Sequence, residues 1–257
     1  MINFFRKIRK NLLNEGKTGR YLKYAIGEIL LVVIGILIAL QINNWNDARK
    51  SRVKELHYLQ NIKTDLMINI GEMERYLADR TEKIAAAKRI LEHFEGKPLN
   101  DFSAFNADGV NIYSWQKFYQ SNNTFQELLN SGNLAIISND EIKNHLLDIE
   151  ALYKKMKSEE EHFRFDTESM IYTPLYALMD LNPLVKNFEF TASQGQSGDA
   201  TPLPEDYFNG FLKSQALKNG FVLTVLELNT LNNQMQKMIN MSQALIEIIA
   251  LETNSRT

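Results

Sequence analysis

Residues Tyr24 to Ile42 read Tyr-Ala-Ile-Gly-Glu-Ile-Leu-Leu-Val-Val-Ile-Gly-Ile-Leu-Ile-Ala-Leu-Gln-Ile, and no polar side chain interrupts the run from Ile29 to Leu40. At about 1.5 Å of rise per residue, this stretch as a helix approaches the roughly 30 Å of a bilayer's hydrocarbon core. It predicts one transmembrane helix over residues 24–42. A helical apolar pattern continues well beyond Ile42, so the span is expected to run on into a long helix of the body. Residues 43–257 are enough for one domain with its own core.

Charge divides the chain at the same place. The formal net charge is −2, yet seven basic residues against Glu15 give residues 1–23 a charge of +6, leaving the remainder at −8. Lys and Arg in a short segment beside a span favour the cytoplasmic side. The expected topology is therefore a bacterial inner-membrane protein, single-pass, with a cytoplasmic N-terminus and a periplasmic body. A cleaved signal peptide also begins with a basic region and an apolar run. Here the run is longer, and Leu-Ile-Ala-Leu-Gln-Ile-Asn-Asn offers no small-x-small cleavage site, so the segment reads as an uncleaved signal anchor. The absence of cysteine fits either compartment.

Within residues 1–23, Ile2, Phe5, Ile8 and Leu12 recur at helical spacing among Arg6, Lys7, Arg9 and Lys10. Such an arm can lie in the headgroup layer, with those four cations on anionic lipid. Tyr21, Tyr24 and Trp45 are expected as interface anchors, at the depth amphipathic rings prefer. Glu28 is the one ionisable residue in the span. Lying about one turn from Tyr24, it either snorkels to the headgroups or makes a polar contact with a neighbouring helix. Gly35 and Ala39 form a small-x-x-x-small step on which another helix could pack, and Gln41 closes the apolar run.

From Leu56 a seven-residue repeat runs through Leu59, Lys63, Leu66, Ile70, Met73, Leu77, Arg80, Ile84, Ala87, Leu91 and Phe94. Its period predicts a coiled-coil-like seam against other helices, with two polar positions in it. Glu95-Gly96-Lys97-Pro98 stops this helix. Residues 99–109 read as a loop, and Ile112 to Leu129 as a second helix interrupted near Ser121-Asn122-Asn123. Ser138-Asn139-Asp140-Glu141 has capping-box spacing for a third helix. Its buried edge is expected at Ile142, Leu146, Ile149, Tyr153, Met156, Glu160, Phe163, Thr167 and Met170. Pro174 should kink or end that helix, and Asn182-Pro183 any continuation. Residues 187–204 read as an exposed loop. The last helix should begin near Pro204-Glu205-Asp206, break at Asn219-Gly220, and run to about Leu251 with Phe221, Leu228, Leu231, Met235, Met238, Leu245 and Ile249 inward. The expected fold is all-α: a single transmembrane helix continuing into a long helix of an antiparallel four-helix-type bundle.

Chemistry-bearing constellations are sparse. Glu159-x-x-His162 has the helix spacing of bundle di-metal sites, but it is a single pair inside the acidic run Glu159-Glu160-Glu161 and reads as surface. Gly195-Gln-Ser-Gly198 follows no strand and reads as loop, not phosphate cradle. No catalytic residues, metal ligands or cofactors are expected, and no enzyme activity. Expected partners are the lipid bilayer and either a second copy or another membrane or periplasmic protein, with no nucleic acid. The build suits a scaffold or interaction module of the cell envelope. The alternative is a periplasmic sensor that binds a small ligand between helices and signals through a membrane partner.

Phe4-Phe5-Arg6-Lys7-Ile8-Arg9-Lys10-Asn11-Leu12-Leu13, Lys23-Tyr24-Ala25-Ile26-Gly27-Glu28-Ile29 and Val33 through Asn46 resemble an uncharacterised family of small single-span envelope proteins of Bacteroidota-type bacteria. The tract from Phe125 through Asn139 is similar to that family's body. The resemblance implies location and build and transfers no activity or site residues. It also implies that Glu28 and Gln41 to Trp45 belong to the family's signature.

Overall fold

The computed structural model describes residues 18–114, 116–200, 203–204 and 206–254. The candidate headgroup ligands Arg6, Lys7, Arg9 and Lys10 lie outside the described residues, as do the side chains of Tyr21 and Tyr24. Among the described residues the chain is helical and has no strand. Three long helices carry it: α1 (Thr18–Phe94), α4 (Asp140–Thr167) and α8 (Gln215–Asn254). Between them lie α2 (Phe102–Tyr113), α3 (Asn123–Asn130), α5 (Thr173–Leu178), α6 (Leu181–Ala192) and α7 (Asn209–Leu212). The residues divide into two compact units, one ending at His57 and one running from Tyr58 to Thr257.

In the first unit the apolar run is one uninterrupted helix whose 18-residue window has a mean hydropathy of 2.6 and no buried residue. Helix α1 is thus long and apolar enough to cross a membrane.

In the second unit the seams anticipated from spacing become the core. Leu59, Leu66, Met73, Arg80, Ile84 and Ala87 of α1 are buried, as are Ile142, Leu146, Ile149, Met156, Glu160, Phe163 and Thr167 of α4. On α8 all seven anticipated positions, from Phe221 to Ile249, are buried. Each fully buried large apolar side chain contributes about 1.5–3 kcal/mol of transfer free energy. Asn139 meets Glu252, and Glu159 meets Gln234, so α4 and α8 run antiparallel.

The second leg of the bundle is not the helix anticipated over Ile112 to Leu129. Helix α2 ends at Tyr113, residues 116–122 have no regular secondary structure, and α3 resumes at Asn123. This extended segment runs antiparallel to α1, and side chains of the long helices replace its missing hydrogen-bond ladder. Tyr76 donates to the carbonyl of Lys117 (2.7 Å). Asn69 donates to the carbonyl of Ser121 (2.8 Å) and accepts from its amide (2.6 Å). Backbone groups inside a protein must be paired, and here α1 supplies partners that a helix would have supplied itself.

Other boundaries differ for local reasons. Residues 99–109 are not a loop: α2 begins at Phe102, capped by Asp101, which accepts from the amide of Ala104 (2.9 Å). Phe105 and Ile112 are buried on its inner face, and that burial outweighs the low helix propensity of Asn, Asp and Ser. Asn106 is buried with them and donates to Leu184 O (2.8 Å) and Asn187 Oδ1 (3.0 Å). Helix α6 begins before Asn182-Pro183 instead of ending there, because proline in a first turn forfeits only an amide that has no helical partner. Residues 187–192 are therefore helical and the loop is shorter than anticipated. The cap of α4 is Asn139, not Ser138.

The regular α-helix also gives way before Pro174. This proline has no N–H for the carbonyl of Met170, and the helix responds with a π turn over Glu168–Tyr172 before α5. Helix α8 shows no break at Asn219-Gly220. Gly220 is buried there, and a Cβ on it would lie 2.6 Å from Ile171 Cγ1 and 3.1 Å from Met170 O. The glycine is a close-approach point against the π turn.

Candidate functional site

The membrane-directed candidates sit on one helix. Glu28, Gly35 and Ala39 are separated by two turns and one turn, so they share one stripe of α1, while Gln41 falls on the other side. Gly35, Ala39 and Gln41 are exposed, and nothing lies within 4 Å of a Cβ built on Gly35. Trp45 is also exposed, with the Arg49 guanidinium 5.9 Å from its ring centre. The large apolar side chains from Ile29 to Leu40 are each 44–63% exposed. A continuous apolar surface of this kind is stable only when something apolar covers it.

The two buried polar positions in the seams belong together. Arg80 Nη2 donates to Glu160 Oε1 at 2.6 Å, with their side chains 5% and 1% exposed. Glu160 also accepts from Lys157 Nζ (2.9 Å) and from the amide of Phe118 (3.3 Å). Lys157 in turn donates to the carbonyl of Phe118 (3.0 Å), and Lys83 to that of Ser114. This network clamps the extended segment between α1 and α4, so it is structural.

A second core, beside the π turn, borders an apolar pocket of about 90 Å³ that is open to the surface on one side. Phe105, Tyr113, Ile171, Leu184, Phe211 and Phe221 are among its walls. Tyr113 packs beside Tyr172 with ring centres 4.3 Å apart, and its hydroxyl is hydrogen-bonded to that of Tyr176. Burial pushes the Tyr172 phenol up to about 12. It raises that of Tyr113 as well, with the hydrogen bond to Tyr176 adding to it, so both rings stay neutral at physiological pH.

A third grouping is not legible in spacing alone. His162 does not pair with Glu159, which accepts from Gln234 instead. It faces Asp166 on α4 and Glu227 on α8, with Nε2 3.7 Å and 3.8 Å from their nearest carboxylate oxygens. Burial, then the adjacent Asp166, push the Glu227 carboxyl up to about 7.

These features define a class: an all-α protein in which one helix is long and apolar enough to span a membrane and contributes its later turns to a packed domain. The chain belongs to a family of unknown function, DUF6090, whose model matches residues 28–156. That stretch runs from Glu28 through the clamped segment into α4 and stops before Glu160. No curated protein and no solved structure matches the chain.

Proposed function

We propose that the protein is a non-enzymatic, single-pass inner-membrane scaffold or interaction module, with its N-terminus in the cytoplasm and its helical domain in the periplasm. The carrying observation is the uncovered apolar face of α1, which a bilayer would cover along its whole length. The +6 arm supports the orientation. The stripe of Glu28, Gly35 and Ala39 supports a second membrane helix as partner, because small residues allow backbones to approach and a carboxyl in lipid gains from a polar contact.

The chain has no cysteine, so single substitutions give a clean cross-linking test. In native membranes, Ala39→Cys will cross-link strongly, to a second copy or to another membrane helix, and Gln41→Cys weakly. Monomers alone at both positions, or equal yields at both, would overturn the reading.

The pocket beside the π turn favours a second reading, a sensor for a small apolar ligand. An apolar cavity of about 150 Å³ takes up benzene, which makes benzene a probe for this smaller pocket. On this reading, saturating benzene raises the domain's melting temperature by about 2 °C, a shift that linkage makes measurable. An unchanged melting temperature rules the sensor out.

A further inference from the structure

We propose that His162, Asp166 and Glu227 form a binding site for a divalent transition-metal cation, of the zinc class, joining α4 to α8. His162 and Asp166 are four residues apart and so lie on one face of α4. The antiparallel register of α8 brings Glu227 opposite them. One ligand atom from each of the three lies within 4.8 Å of the others. Zinc bonds of about 2.0–2.2 Å require donor separations of roughly 3.3 Å, so the two separations from His162 Nε2, 3.7 and 3.8 Å, need to shrink by only a few tenths of an ångström.

The burial of each group suits the role. Asp166 and Glu227 side chains are only 17% and 15% exposed, while His162 is 68% exposed and provides the entry side. Glu227 Oε2 is shielded from solvent, and no N–H or hydroxyl among the described residues donates to it. Two carboxylates this close repel each other when ionised, and a cation between them removes the repulsion while giving that oxygen a partner. One imidazole nitrogen with two carboxylate oxygens selects Zn²⁺, Mn²⁺, Fe²⁺ or Co²⁺ over Mg²⁺ and Ca²⁺, which prefer all-oxygen shells. Three protein ligands leave at least one position for water. The cation would therefore act as a clamp between the two long helices, close to the π turn.

The test uses the full chain, free of any affinity tag, in detergent micelles. Calorimetric titration with ZnCl₂ is expected to show one Zn²⁺ per chain and a raised melting temperature, with MgCl₂ giving neither. Bound Co²⁺ should show the visible absorption of a site with a nitrogen donor. His162→Ala and Glu227→Gln should each weaken Zn²⁺ binding at least about 10-fold, the lower end for loss of even an outer partner. Both variants should still melt cooperatively without metal, which separates lost ligation from lost fold. No Zn²⁺ binding by the wild-type chain, or binding that both substitutions leave unchanged, would sink the proposal.

Discussion

Replacing Glu160 by alanine will destabilise the domain by about 3–5 kcal/mol, the range for removing one partner of a buried ion pair. The carboxylate is 1% exposed and neutralises Arg80, whose side chain is 5% exposed. It also accepts from Lys157 and from the amide of Phe118, so Glu160→Ala leaves two cations and a backbone donor without their partner. Urea unfolding should show a lower midpoint with an unchanged slope. The double change Arg80→Met with Glu160→Leu should cost less than Glu160→Ala alone, because no uncompensated guanidinium remains. The Phe118 amide then sets most of the residual cost, about 1–3 kcal/mol, since the Lys157 ammonium, which also loses Glu160, keeps its bond to the Phe118 carbonyl. For contrast, the pair Lys155–Glu159, 3.8 Å apart and 67% and 33% exposed, should be worth under about 1 kcal/mol. A Glu160→Ala effect no larger than that of the exposed pair would mean that the clamp is incidental.

Phe118→Ala will cost a similar amount, about 3–5 kcal/mol, through the cavity left behind. The ring is fully buried and meets Tyr76 edge-on at 5.8 Å and Tyr153 at 6.1 Å. In a helix such a loss would leave the local hydrogen bonds intact. Here residues 116–122 have no helical ladder of their own, so the ring and the side-chain bonds hold the segment jointly. Hydrogen exchange at the amides of Phe118 and Ser121 should therefore accelerate more than exchange in α4. If those amides and α4 respond alike, the segment is not a separate weak point.

The long helices are legible because an apolar period of 3.5 sustained over many turns is what a helix packed along its whole length requires. The anticipated edge of α4 is buried or half-buried from Ile142 to Thr167, and that of α8 is buried throughout, whereas Met170, anticipated on the same edge, lies in the π turn and is exposed. Arg80 and Glu160 stand in the sequence as interruptions of two separate seams, since each is the other's partner across 80 residues. The short elements are less legible because local and tertiary preferences conflict there. In α2 the Asn, Asp and Ser residues suggest a loop, whereas Phe105 and Ile112 decide the outcome by burial. Pro183 looks like a stop, yet the structure uses it in a first turn, while Pro174 follows a π turn that interrupts the helix. The His162, Asp166 and Glu227 grouping depends on the register between α4 and α8, which no single-helix periodicity encodes.

Holding residues 116–122 by their main chain has a consequence for how the protein can change over time. Gln116 and Tyr119 are the exposed positions of the segment among the described residues, and the Lys157 ammonium lies 4.4 Å from the Tyr119 ring centre. Their identities can drift at little cost. The instructions for that segment's path are written in Asn69, Tyr76, Lys157 and Glu160, so drift there is the kind the fold would not survive.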